Sequence, residues 1–358
     1  MNAQLEALQK ASGAVFAPFI DRTLPARFTT VLDEWAAVRR RCGVLDAGFR
    51  GLLRLTGSDR VSFLQGMLSN DVARLQSGAG AYAALLTQQG KVVADLRVYV
   101  LPDELWLDVP AARAAAVREN LERYIIADDV ECAADDGVAP LVVIEGPLAD
   151  RVLLAVTGEA TADLAPFAHR GVTFDGVRVR AAAVTHTAER GYLLFGDPAA
   201  APNLWKRCCA AGAEPVGMDA LDVLRIEAGI PWYGRDFDDT SLISEVGLEA
   251  AISYTKGCYL GQEVVERVAA RGQVHRKLVG LICDGEQIPP PDSTLLRDGK
   301  DAGWITSAVW SPARNAVIAL GYVRRESWDI GAEMQLAVAA ATSRARVVAV
   351  PFYTHQSS

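Results

Sequence analysis

Hydrophobic positions along the chain recur mainly at the period-two spacing of half-buried strands, interrupted by stretches of helical spacing and by glycine and proline. Gly51 to Gly57 predicts a strand between glycines, and Ser58 stands where it could cap a helix through Phe63, Leu64 and Met67 that stops near Asn70 and Asp71. From Lys91 to Leu101 the alternation is sharp. Val92, Ala94, Leu96, Val98 and Val100 share one face, and Asp95, Arg97 and Tyr99 share the other. Pro102-Asp103-Glu104 forms a turn, Leu105 to Val109 returns as the hairpin partner, and a helix rich in Ala and Arg follows from Ala111 to Tyr124. Strand, helix, hairpin and helix in this order predict an α+β unit with an antiparallel sheet.

Further strands are expected at Leu141 to Ile144 and Gly191 to Phe195, and a compact helix at Met218 to Ala228, closed by Gly229 and Pro231. The segment from there to Gly261 is the least regular of the chain and rich in Gly, Tyr and charge, a texture that usually carries function. Beyond His275 short strands crowd together: Leu278 to Ile282, Gly303 to Ser307, Ala316 to Tyr322 and Arg344 to Val350, with a rigid Pro289-Pro290-Pro291-Asp292 loop. That density predicts a small β-barrel or sandwich. The boundary is expected between Gly272 and Arg276, giving an α+β region over 1–273 and a barrel over 274–358.

A length of 358 residues suits two or three packed units, and 51% hydrophobic residues are ample for their cores. No apolar run approaches the roughly 20 residues of a membrane helix, and Met1 to Lys10 shows no secretory pattern. A cytoplasmic protein is expected, with no membrane partner. The net charge of −8 argues against nucleic-acid binding, which needs clustered positive charge. Cysteines at 42, 132, 208, 209, 258 and 283 form no C-x-x-C pair, and the histidines at 169, 186, 275 and 355 give no ligand spacing, so no permanent metal site is expected.

One thiol stands out. Cys258 lies in Lys256-Gly257-Cys258-Tyr259-Leu260-Gly261-Gln262-Glu263, just before a helix through Val264, Val265 and Val268. Backbone amides at a helix start, with Lys256 upstream, would favour the thiolate. Composition alone favours the plainer alternative of a small residue packed under a turn.

The segment Lys256 to Glu263 resembles the signature of the YgfZ family, the branch of the glycine-cleavage T-protein (aminomethyltransferase) superfamily linked to iron–sulfur protein maintenance. Companion segments agree in order: Leu55 to Arg60 with Phe63 to Gly66 and Asn70 to Val72, then Arg225 to Pro231 with Tyr233 to Asp236, then Ile305 to Ser307 with Ser311-Pro312 and Leu320 to Val323. The resemblance implies a three-subdomain cloverleaf ring of antiparallel sheets and helices, with a C-terminal β-barrel, around a site for tetrahydrofolate or a one-carbon derivative. It implies that Glu189, in Thr187-Ala188-Glu189-Arg190-Gly191-Tyr192, meets the pterin, whose adjacent N–H and NH₂ match a carboxylate. It also implies a folate contact and an acid–base role for Asp95, in Gly90-Lys91-Val92-Val93-Ala94-Asp95-Leu96. Alternation sets Asp95 beside Arg97, a pairing that would keep the carboxylate acidic and a poor base. Arg225, Glu227, Tyr233, Arg235 and Asp236 either line the folate cavity or meet its glutamate tail, or else form an ion-pair network that fixes the loop. Lys256 and Tyr259 join the expected contacts, and Trp232 is the one tryptophan placed to stack on a cofactor.

Beside a binding protein without turnover, in which folate is a structural or regulatory ligand, two functions follow from the resemblance. The first is a folate-binding accessory protein that supports assembly or repair of iron–sulfur enzymes, with transient client or assembly partners and Cys258 as its reactive group. The alternative is a folate-dependent transferase that moves a one-carbon unit from a small amine.

Overall fold

The computed structural model describes residues 2–134, 137–272, 274–338 and 341–354. Gln273 in the expected linker, and His355, lie outside them. The first sheet is antiparallel and five-stranded, in the spatial order Gly80–Leu86, Val92–Val100, Leu105–Pro110, Arg50–Thr56 and Glu131–Ala134. It contains the expected strands and the expected hairpin. The helix that follows splits into a 3₁₀ turn at Ala111–Arg113 and an α-helix at Ala114–Glu122. Ser58 does not cap the next helix, Arg60–Met67. Its hydroxyl donates instead to Asp129, at 2.8 Å.

One strand departs from strict alternation. Leu85 pairs with Ala94 and Leu86 with Val92, so Val93 is an extra residue in the ladder. The bulge turns Val92 away from Ala94, Leu96 and Val98 and packs it with Leu86 and Tyr233. Asp95, Arg97 and Tyr99 keep their common face.

A second sheet has six strands, in the order His169–Phe174, Val177–Ala183, Gly191–Gly196, Ala139–Glu145, Gly43–Asp46 and Glu214–Pro215. A hairpin, Val15–Phe19 with Arg22–Arg27, and the helix Val31–Arg40 precede it in the chain. The last unit is a closed barrel of six strands, in the order Arg276–Cys283, Ala316–Arg324, Lys300–Ser311, Thr294–Arg297, Glu333–Val338 and Ala341–Val348. Closure leaves no free strand edge.

These units share one apolar core. Leu52, Tyr99 and Trp106 of the first sheet meet Val143, Leu193 and Phe195 of the second, Leu221 and Leu224 of the helix Met218–Glu227, and Ile318 and Leu320 of the barrel. The helix Met218–Glu227 ends at Gly229, whose φ of +69° suits glycine and whose missing Cβ leaves room for Val350, 2.8 Å from where it would stand.

The end of this helix joins the barrel to the rest through buried charge. Arg225 is fully buried and donates to Asp222, Asp236, the Ile230 carbonyl and Ser307 Oγ of the barrel. Thr306 Oγ1 donates to Asp236 at 2.6 Å, and Ser311 Oγ to Glu227 at 2.6 Å. Arg225, Glu227 and Asp236 thus take part in buried polar contacts, as the ion-pair alternative expects. A buried ion pair that loses one partner leaves the other charge stranded. Arg225→Met should lower unfolding free energy by about 3–5 kcal/mol in urea titrations, against under about 1 kcal/mol for Arg344→Met at an exposed pair.

Candidate functional site

The two sheets, the amino-terminal hairpin and the irregular segment after Gly229 enclose a cavity of about 300 Å3. Its walls are aromatic. Phe49 stacks on Trp232 with ring centres 5.5 Å apart and 20° between planes, and Tyr82 stacks on Phe167 at 6.3 Å and 10°. Phe19 meets Trp232 edge-on, at 5.4 Å. Tyr233 and Trp232 both line the cavity.

Arg50, Asp95, Arg97, Thr185 and His186 provide its polar end. Asp95 is not paired with Arg97 in the expected way. Its Oδ2 accepts from the Tyr82 hydroxyl at 3.0 Å, and its Oδ1 is buried with no hydrogen-bond partner. Burial, and then the charge of Asp95, raise the Tyr82 phenol well above its usual range, so its proton stays on to make this bond. Arg97 is occupied elsewhere. It donates to Asp108 Oδ2 at 2.8 Å and meets His186 Nε2 at 3.0 Å. The other side of Asp108 takes Arg50 Nε, at 2.6 Å. Burial alone would raise the Asp108 carboxyl, but Arg50 and Arg97 overcome it and hold the group below the usual carboxylate range.

The protonation of His186 follows from its neighbours. A guanidinium can only donate, so Nε2 accepts from Arg97, and Nδ1 carries the proton toward Glu145 Oε1, 2.6 Å away. Burial, and then the charge of Arg97, hold the imidazole below its usual value. The result is a buried chain, Arg50–Asp108–Arg97–His186–Glu145, that runs from the first sheet to the second beneath the cavity. The histidine spacing had suggested no role for His186. The signal lay in Thr185 and His186 standing just before the Thr187 to Tyr192 segment.

Other expected site residues fall outside this cavity's walls. Glu189 lies next to Arg39, with Oε1 3.0 Å from Nη1, and bonds the Tyr353 hydroxyl. Arg39 also reaches Glu227 at 2.8 Å and packs its guanidinium 3.7 Å from the Tyr353 ring centre. Arg235 is at the surface, 3.3 Å from Asp222 and over the Phe19 ring. Tyr259 packs in the core with Leu86, Val92 and Val265.

Lys256 points inward, away from the thiol's surface. Its Nζ donates to the carbonyls of Gln65, Leu68 and Asn70, at 2.6, 2.6 and 3.0 Å, which closes the end of the helix Arg60–Met67. Burial pushes this amine down to about 8. The role proposed for it beside Cys258 is thus replaced by a structural one. Cys258 itself is exposed, whereas Cys42, Cys132, Cys208 and Cys283 are buried, and burial is the first cause that raises each of those four thiols. The helix beyond it starts at Gln262. Among the described residues no group of three or more His, Cys, Asp or Glu side chains could hold a metal ion, and no helix is long and apolar enough to cross a membrane.

An α+β body with an aromatic cavity between its sheets, backed by a closed six-stranded barrel, defines the aminomethyltransferase type of fold. The chain belongs to the glycine cleavage T-protein family: residues 5–256 match its GCVT N-terminal domain and residues 276–354 its glycine cleavage T-protein C-terminal barrel domain. It is 32% identical to an aminomethyltransferase of Synechococcus sp. (strain RCC307), over 99% of both chains. It is 30% identical to one from Halalkalibacterium halodurans, over 92% of both. The crystal structure of the glycine cleavage system aminomethyltransferase T from Bartonella henselae has the same fold, with a TM-score of 0.91 at 24% identity, covering 98% of this chain and 97% of that one.

Two buried histidines give the protein an acid-sensitive stability. Burial, and then Arg180, push His169 down to about 4, and His186 is lowered as well. Below about 6.5, the ordinary histidine value, the unfolded chain takes up protons that these folded imidazoles refuse, so stability falls as pH drops from there toward 4. Urea midpoints measured across that interval should decline, and His169→Phe should flatten the decline.

Proposed function

We propose that the cavity binds a tetrahydrofolate and that the protein is a folate-dependent one-carbon transferase acting on a small amine. The observation that carries this is Asp95 Oδ1, a buried carboxylate oxygen without a partner on the wall of an aromatic cavity. A buried acceptor left unmatched is costly, so its natural complement is a ligand N–H. The stacked pairs Phe49–Trp232 and Tyr82–Phe167 suit the faces of a flat heterocycle. When bound, a tetrahydrofolate supplies a nucleophilic ring nitrogen that accepts a one-carbon unit. The Tyr82 hydroxyl fixes the Asp95 carboxylate, leaving Oδ1 to orient the ligand or take its proton. The names of the relatives support the same reading.

Titration calorimetry should find tetrahydrofolate binding to the whole chain, and Asp95→Asn should weaken it by about tenfold or more, since a hydrogen bond to a charged group contributes about 1.5–3 kcal/mol. Asp95→Asn should also abolish transfer from an aminomethyl donor, followed as one-carbon-loaded folate. Absence of binding at millimolar ligand would exclude this function.

A second reading is favoured by the exposure of Cys258 in the Lys256 to Glu263 segment. Here the folate-binding protein supports iron–sulfur enzymes through that thiol. Cys258→Ser separates the two. It should leave folate binding and transfer intact, and only the second reading has it lower iron–sulfur enzyme activity in cells lacking the native protein.

A further inference from the structure

The hairpin of Val15–Phe19 and Arg22–Arg27 turns through Ile20 and Asp21 alone, because Phe19 pairs directly with Arg22. Ile20 has a φ of +54°. The first central position of a two-residue hairpin is where glycine is usually needed for such an angle. For a β-branched side chain it is an outlier, because the branch crowds its own backbone.

Strain of this kind is informative where it clusters. Among the described residues, seven other than glycine have positive φ. Asp175, Asp292, Asp298 and Asn315 are of types that tolerate it, which leaves Ile20, Phe167 and Ala188. Ile20 and Phe167 both line the central cavity. For Phe167 the return is visible, since its ring lies parallel to that of Tyr82. For Ile20 burial repays the strain only in part, because the residue is 46% exposed. A large apolar group on a strained backbone, half-exposed on the cavity wall, is placed for contact with something that arrives later.

Position indicates what that is. Ile20 follows Phe19, whose ring abuts Trp232, and its Cγ2 lies 3.5 Å from where a Cβ on Gly234 would stand. The hairpin tip therefore reaches from the aromatic wall toward the irregular segment beyond Gly229. We propose that Ile20 is a ligand-contacting residue that covers the outer part of the flat ring of a reduced pteridine and keeps water from the Asp95 end of the cavity. This rests on the folate reading above and adds to it: the hairpin tip is part of the binding site, and affinity for the ring depends on an apolar side chain there.

The test compares ligand-free stability with affinity in three full-length proteins. Asn accepts a left-handed backbone but offers no apolar contact. Ile20→Asn should therefore melt at the wild-type temperature or a few degrees above it, yet bind tetrahydrofolate about fivefold or more weakly in calorimetry. Ile20→Val keeps both strain and contact, and should bind within about twofold of wild type. A purely structural residue would lose melting temperature and affinity together, and that outcome overturns the proposal. So does wild-type affinity in Ile20→Asn. If the wild type itself fails to bind tetrahydrofolate, the folate reading falls and this inference falls with it. If the wild type binds and Ile20→Asn binds equally well, only the role of Ile20 is lost.

Discussion

Asp108 has no solvent exposure and accepts from two guanidiniums, Arg50 on its own sheet's next strand and Arg97 on the other side. Isolating any one of these charges in the core would cost several kcal/mol, so the three must come together or not at all. Once Arg97 is placed, His186 must take a single tautomer, and Glu145 must accept the hydrogen bond from its Nδ1–H. One carboxylate thereby sets the relation of the first sheet to the second and the shape of the cavity floor between them. Asp95 is spared from this network, and that leaves it available. Had Arg97 turned to Asp95, as its neighbour in the alternation, Asp108 would have been buried with one partner and the cavity would have lost its free acceptor.

The barrel has a different part. Among the described residues its strands contribute no side chain to the cavity wall, yet its Thr306, Ser307 and Ser311 hydroxyls hold Asp236, Arg225 and Glu227. Those three residues frame the segment that carries Trp232 and Tyr233. An irregular loop has few backbone hydrogen bonds of its own to hold its shape, so side-chain bonds from a rigid neighbour supply the order. The aromatic wall is in this sense built by one unit and braced by another.

Much of this was legible in the sequence, and the limits have a common cause. Period-two alternation located the strands around Asp95, the hairpin at Leu105 and the barrel, because each is a local pattern with one buried face. Asp95 was expected at a cofactor from its motif, and Trp232 from its place in the irregular segment; both line the cavity. What escaped were partners distant along the chain: Arg39 with Glu189 and Glu227, Arg97 with His186, Lys256 with the end of the helix Arg60–Met67. A lysine next to a cysteine reads as its electrostatic partner until the fold turns it toward three carbonyls instead. The bulge at Val93 was invisible for the same reason, since only the partner strand reveals which residue is extra. Glu189 was singled out by its motif, and its neighbours Arg39 and Tyr353 come from opposite ends of the sequence.

That last cluster bears on how the protein is made. Arg39 lies between Glu189 and Glu227, with the Tyr353 ring over its guanidinium. On a ribosome the arginine emerges first, and at about 5–20 residues per second its last companion follows only after tens of seconds. Until Glu189 and Glu227 have both emerged, the guanidinium lacks the carboxylates that hold it in the core and must keep its water. The amino-terminal helix Val31–Arg40 therefore has to wait for the helix Met218–Glu227 before its arginine can be buried. Burial of an early helix is thus held back by a carboxylate that lies far along the chain.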